Sequence, residues 1–112
     1  MIVKLLRADE WARFVRDGRF DGAPVDVADG YIHFSTPVQA AETAAKHFKD
    51  EPDLKIVAAD PDVFGDALRW EPSRGGKLFP HLYAVFEMKQ VLWHETLPVG
   101  PDGQHIFPER MK

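Results

Sequence analysis

In the stretch Leu68-Arg-Trp-Glu-Pro-Ser-Arg-Gly-Gly-Lys-Leu-Phe-Pro-His-Leu-Tyr83, cations, a glutamate, a glycine pair, a histidine and a tyrosine crowd into one short segment. Packing alone rarely asks for that mixture. Arginine and lysine hold anions, glycines let backbone approach a ligand, and Glu, His and Tyr do acid–base work. Glu71 can accept hydrogen bonds from ligand hydroxyls while Arg69 or Arg74 grips an anionic group. Gly75 and Gly76 can turn their amides outward as an anion-binding nest, flanked by Arg74 and Lys77. The plainer reading is a solvated ion pair followed by a β-turn with exposed charges. The glycine pair also lacks the Gly-x-x-x-x-Gly-Lys-Ser/Thr spacing of a nucleotide P-loop. His81 adds an imidazole near its switching pH, and Tyr83 an aromatic face for stacking.

A second segment, Tyr31-Ile-His-Phe-Ser35, alternates like a strand, so Tyr31, His33 and Ser35 face one way, and His33 and Ser35 can line one cleft. A strand histidine with one satisfied hydrogen bond is the plainer account of His33. Capping accounts for Thr36. His33, Glu71 and His81 are thus the candidate catalytic residues, and Ser35, Arg69, Arg74, Gly75, Gly76 and Tyr83 the candidate ligand-binding ones. No metal is expected, because none of the five histidines falls at His-x-His or His-x-x-x-His spacing. There is no Gly-x-Ser-x-Gly elbow, which argues against a serine hydrolase.

The rest of the chain must position these groups. Its 112 residues suit a single domain, residues 1–112, with one core. The 45% apolar and 29% charged fractions are those of an ordinary globule. A formal charge of −4 makes nucleic acid an improbable partner, since phosphate contacts need an excess of Lys and Arg. Without cysteine there is no disulfide, thiolate nucleophile or Cys-ligated zinc. No apolar run can span a bilayer and no signal peptide is apparent, so the expected location is the cytoplasm.

Strands are predicted over residues 2–6, 31–35, 54–59, 68–71, 78–86 and 91–97. A helix follows Asp9 as cap through Asp17, with Trp11, Phe14 and Val15 on one face and Gly18 as its stop. The second runs from Thr36 as cap to Phe48, with Pro37 at its first position, Gln39 closing a capping box, and a stripe at Val38, Ala41, Ala45 and Phe48. Pro and Gly make residues 19–30 a loop, and Ile106 and Phe107 anchor the tail. Leu68 and Trp70 should point inward, with Arg69 and Glu71 opposite. The resulting class is α+β: a mostly antiparallel sheet flanked by two N-terminal helices.

At Asp29-Gly-Tyr-Ile-His-Phe-Ser-Thr36 and at residues 68–83 the chain closely resembles a bacterial family catalogued as a domain of unknown function, number 952. That family's fold has been grouped with the ADP-ribosyltransferases, which bind NAD in the cleft of a split β-sheet and break its nicotinamide–ribose bond. The resemblance implies a split sheet, NAD as substrate and ADP-ribosyl transfer or hydrolysis. Phe34-Ser35-Thr36 is similar to their Ser–Thr–Ser segment, with Pro37 in place of the last serine. The first strand offers Lys4 and Arg7 rather than a histidine. The glutamate they use would be Glu71 or Glu95, with no Glu-x-Glu pair. A catalytically silent small-molecule-binding module is the alternative.

Overall fold

Strand β1 (Ile2–Leu6) is buried along its whole length, Lys4 included. It pairs with β4 (Lys55–Ala59), which pairs in turn with β8 (Val91–Thr96). The structure, a computed structural model, describes residues 1–111, and of Arg74 the backbone alone. Successive β1 side chains point to opposite faces. Ile2 and Leu6 enter a core with Phe14, Phe34 and Phe86, whereas Val3 and Leu5 enter another with Ala40, Ala44 and Leu54. A second sheet holds β3 (Ile32–His33), β6 (Leu78–Leu82) and β5 (Leu68–Pro72), with β6 in the middle. A two-stranded ribbon joins β2 (Arg19–Phe20) to β7 (Phe86–Glu87). Every strand pair among the described residues is antiparallel. Val3 and Ser35 exchange both backbone hydrogen bonds at 2.8 Å, which ties the first sheet to the second.

Helix α1 (Ala8–Asp17) begins two residues earlier than Asp9 as cap would place it, with Arg7 at the cap position. Glu10 supplies the cap instead, its side chain accepting the Arg7 N–H at 2.8 Å. Gly18 ends the helix as expected, in the left-handed conformation at φ 72°. Helix α3 (Pro37–His47) also begins as its sequence predicts: Thr36 Oγ1 accepts the Gln39 N–H at 3.2 Å, and Gln39 Oε1 accepts the Thr36 N–H at 3.0 Å. Its buried stripe is Ala40 and Ala44, whereas Val38 is 90% exposed and Ala41 lies in solvent. These two small residues let the helix lie close to the first sheet, and a valine near the N-terminus contributes nothing to that contact.

Further expectations need correction. Residues 19–30 are not a loop, because they contain β2 and a third helix, α2 (Pro24–Asp29). Pro24 starts it, Asp26 accepts the Ala23 N–H at 2.8 Å, and Gly30 closes it at φ 89°. Among the described residues the two expected N-terminal helices thus become three α-helices. Residues 78–86 are not one strand, since the chain leaves the second sheet after Leu82 and enters the ribbon at Phe86. Trp70 is 46% exposed rather than inward, because β5 is the sheet's edge. Val15 and Ile106 are exposed as well, and the tail is held by Met111, His105 and Phe107. Among the described residues, no helix is long and apolar enough to cross a membrane.

Candidate functional site

Register decides what meets what on the second sheet. His33 pairs with His81, His81 with Arg69, and Phe79 with Glu71, so these side chains share one face. The other face carries Ile32, Phe34 and Leu82 into the core. His33 and Glu71 therefore lie on the same side of the sheet, as a common site requires. Over this face, between β1, α2 and α3, opens a cleft of about 550 Å³. His33, Ser35, Ser73, Phe79 and His81 line it from the sheet, and Lys4, Arg7 and Glu10 from the other wall.

Two carboxylate–imidazole pairs organise the sheet end. Glu71 Oε1 lies 2.8 Å from His81 Nδ1 and accepts the Tyr83 hydroxyl at 2.7 Å. An ionised carboxylate only accepts, so His81 Nδ1 carries the hydrogen and, in the neutral ring, Nε2 is the acceptor nitrogen. The Tyr83 and His81 hydrogen bonds hold the Glu71 carboxyl below its ordinary value and, reciprocally, hydrogen bonding to Glu71 raises Tyr83. The second pair is His33 and Asp26: Nδ1 lies 2.6 Å from Asp26 Oδ1, and Nε2 lies 3.0 Å from Asp29 Oδ2. Tyr31 binds the pairs together. Its ring stacks on His81 at 4.1 Å and lies 4.6 Å from His33 and 5.2 Å from Tyr83.

Asp26 is the most heavily used group here. Besides His33 Nδ1 it accepts Lys4 Nζ at 3.0 Å, the Ala23 N–H at 2.8 Å and the His33 N–H at 3.1 Å. Burial pushes its carboxyl up, but these hydrogen bonds and the Lys4 charge outweigh burial and bring it to about 2. Burial likewise pulls Lys4 down, opposed by Asp26. Neither Asp26 nor Tyr31 stands out in the sequence. Asp26 sits among Pro and Gly, and the signal that could have found it is the helix-start pattern Pro24–x–Asp26.

The remaining candidates divide. Ser35 lines the cleft but its hydroxyl contacts Thr43 Oγ1 at 3.2 Å. Arg69 lies over the Tyr83 ring, 4.8 Å from its centroid, outside the enclosed part. Gly75 and Gly76 take φ of 65° and 77°, a conformation that glycine adopts freely. The Gly76 amide bonds Ser73 O at 2.8 Å and so closes a turn instead of facing outward. The Arg74 side chain lies outside the described residues. His94 and Glu95 point to opposite faces as expected, His94 against Trp11 and Glu95 against Arg110. No cluster of three His, Cys, Asp or Glu suited to a metal occurs among the described residues.

Comparison with known proteins places the chain. Its structure is similar to the crystal structure of protein CC0527 from Caulobacter crescentus, with a TM-score of 0.90 and 42% sequence identity, covering 94% of this chain and 92% of that one. It is also similar to the solution NMR structure of CC0527, with a TM-score of 0.84 and 43% identity over 92% of this chain and 89% of that one. The chain matches no curated protein. Residues 5–94 match the family described as "Protein of unknown function (DUF952)", and the chain belongs to that family.

Proposed function

We propose that the cleft binds NAD or an ADP-ribose-like nucleotide and that the protein is ADP-ribosyltransferase-like, transferring or hydrolysing the ADP-ribosyl group. The observation that carries this reading is the Glu71–His81 pair: a carboxylate fixing a buried imidazole that lines a cleft. In hydrolysis the C1′–nitrogen bond to nicotinamide breaks and water oxygen bonds C1′. The water's proton goes to His81 Nε2, and nicotinamide leaves with the bonding pair. The ribose gains positive character in that step, and the Glu71 charge stabilises it at short range. Glu71 Oε2, free of hydrogen bonds among the described residues, is the oxygen that would meet the ribose hydroxyls. Arg69 and the turn at residues 73–77 would hold phosphate at the cleft's outer end.

A silent binding module is the second reading. It is favoured by His33, whose two ring nitrogens both face carboxylates of the protein and so are closed to a ligand. Thermal-shift titration with NAD and ADP-ribose, alongside chromatography for released nicotinamide, separates the readings, because a ligand of the folded state raises its stability with occupancy. A shift with nicotinamide release that Glu71→Gln abolishes supports transfer or hydrolysis. A shift without release supports the module. No shift with either nucleotide sinks the nucleotide reading.

A further inference from the structure

Lys4 takes no part in the chemistry assigned to Glu71 and His81, yet it lines the same cleft. It sits at the centre of β1, its side chain only 8% exposed. Leu5, Val25, Phe34 and Phe79 make much of the surrounding wall apolar. Burial pulls the Lys4 ammonium down from its ordinary value, against the opposing charge and hydrogen bond of Asp26. A desolvated lysine on a cleft wall is the kind of amine that condenses with a carbonyl group.

The partners of Lys4 lead away from the cleft in an unbroken line. Asp26 Oδ1 lies 3.1 Å from Lys4 Nζ and 2.6 Å from His33 Nδ1, and Asp26 Oδ2 lies 3.0 Å from Lys4 Nζ. Beyond the ring, His33 Nε2 lies 3.0 Å from Asp29 Oδ2, on a side chain that is 46% exposed. The line therefore runs from a cleft amine to solvent through two carboxylates and one imidazole. In the neutral ring one nitrogen faces its carboxylate without a hydrogen, and a proton taken up there gives each carboxylate a donor. His33 is closed to a ligand but open to a proton.

We infer that Lys4 is a nucleophile that forms an iminium with a small aldehyde or ketone in the cleft. The ammonium first gives one proton through Asp26 to His33. The neutral nitrogen then bonds the carbonyl carbon, the carbonyl pair moves to oxygen, and that oxygen takes a proton from the attacking nitrogen. In the resulting carbinolamine the nitrogen lone pair completes the C=N bond. The hydroxyl leaves as water with the proton that returns from His33. Ammonium and carbonyl thus become iminium and water, with no net proton exchanged. Asp26 faces one positive charge before and after, so neither end of the step leaves a buried charge unpaired. This activity stands apart from the nucleotide reading, and its failure would leave that reading untouched.

Timed incubation with glycolaldehyde, quenched with borohydride, converts any imine to a stable amine that peptide mass spectrometry assigns to its lysine. Lys4 should label about ten-fold faster at neutral pH than the exposed Lys46 and Lys89. Lys4→Arg keeps a cation against Asp26, so it should retain the fold by circular dichroism and lose the fast phase of labelling. His33→Asn still offers Asp26 a hydrogen-bond donor but carries no proton, so it should slow Lys4 labelling about ten-fold and leave its final extent unchanged. Lys4 labelling no faster than that of Lys46 and Lys89 overturns the inference, as does a fast phase that survives Lys4→Arg. Loss of extent together with rate in His33→Asn assigns His33 to the fold and overturns the proton line. The wild-type comparison needs no variant, so it decides the matter for Lys4 even if a substitution unfolds the chain.

Discussion

Asp26 shows how much one carboxylate can organise. Buried at 1% exposure, it holds Lys4, the His33 ring and two backbone amides, so its charge is stabilised four times over. Its folded carboxyl titrates at about 2 against an ordinary 3.8. As pH falls between those values the unfolded chain takes up a proton that the folded chain refuses. The resulting stability, about 2 kcal/mol, is complete above about pH 4 and lost as pH falls through 2. Urea unfolding across that window should show the decline, and Asp26→Asn should remove it. At neutral pH Asp26→Asn should itself cost about 3–5 kcal/mol, because Lys4 is left buried and unpaired; adding Lys4→Met should recover part of the loss. Glu71 offers a gentler test. The Tyr83 hydroxyl is the largest cause of its depressed carboxyl. Tyr83→Phe should therefore move the Glu71 titration upward, read by carboxyl-carbon NMR, while a Tyr83 that merely stacks would leave it in place.

Elements differ in how plainly residues announce them. The starts of β1 and α3 are written in local pattern: an apolar run, and Thr36-Pro37 with Gln39 closing the box. The shared face of His33, His81 and Glu71 follows from strand alternation once register is known. Helix α2 is only six residues and carries no apolar stripe, since its one buried residue is Asp26. Its stability comes from the Lys4 and His33 contacts, which are tertiary and which no window of sequence contains. The same holds for the division of residues 78–86, where the partner strand and not the local pattern decides. Glycines around α1 and α2 test this. Gly18, at φ 72°, has open space around it, so Gly18→Ala should cost only about 1 kcal/mol. At Gly22, φ 128°, an added Cβ would lie 2.8 Å from Asp26 Cβ. Gly22→Ala should cost about 2–3 kcal/mol and displace Asp26, seen as loss of the His33 Nδ1 proton resonance.

For the whole molecule, the two apolar layers around the first sheet are what hold the cleft-facing side of the second sheet in place. Phe86 lies where they matter most, fully buried, with ring centroids 5.2 Å from Phe14 and Phe34 and 5.9 Å from Phe64. It therefore joins α1, the strand leading into α3, and the turn after β4. Phe34 precedes Ser35, and Ser35 bridges to Val3, so a shift at Phe86 reaches the cleft through two backbone hydrogen bonds. Phe86→Ala should cost about 3–5 kcal/mol, from the lost burial and the cavity left behind. Val38 looks like core in the sequence pattern of α3 and is almost wholly exposed, so Val38→Ala should change stability by about 0.5 kcal/mol or less. Denaturant unfolding followed by circular dichroism and by tryptophan fluorescence gives both numbers. The two probes should coincide for wild type and for Phe86→Ala, because the layers share β1 and should melt together. Separate transitions would show that the sheets fold independently and that the cleft between them is held by less than this packing implies.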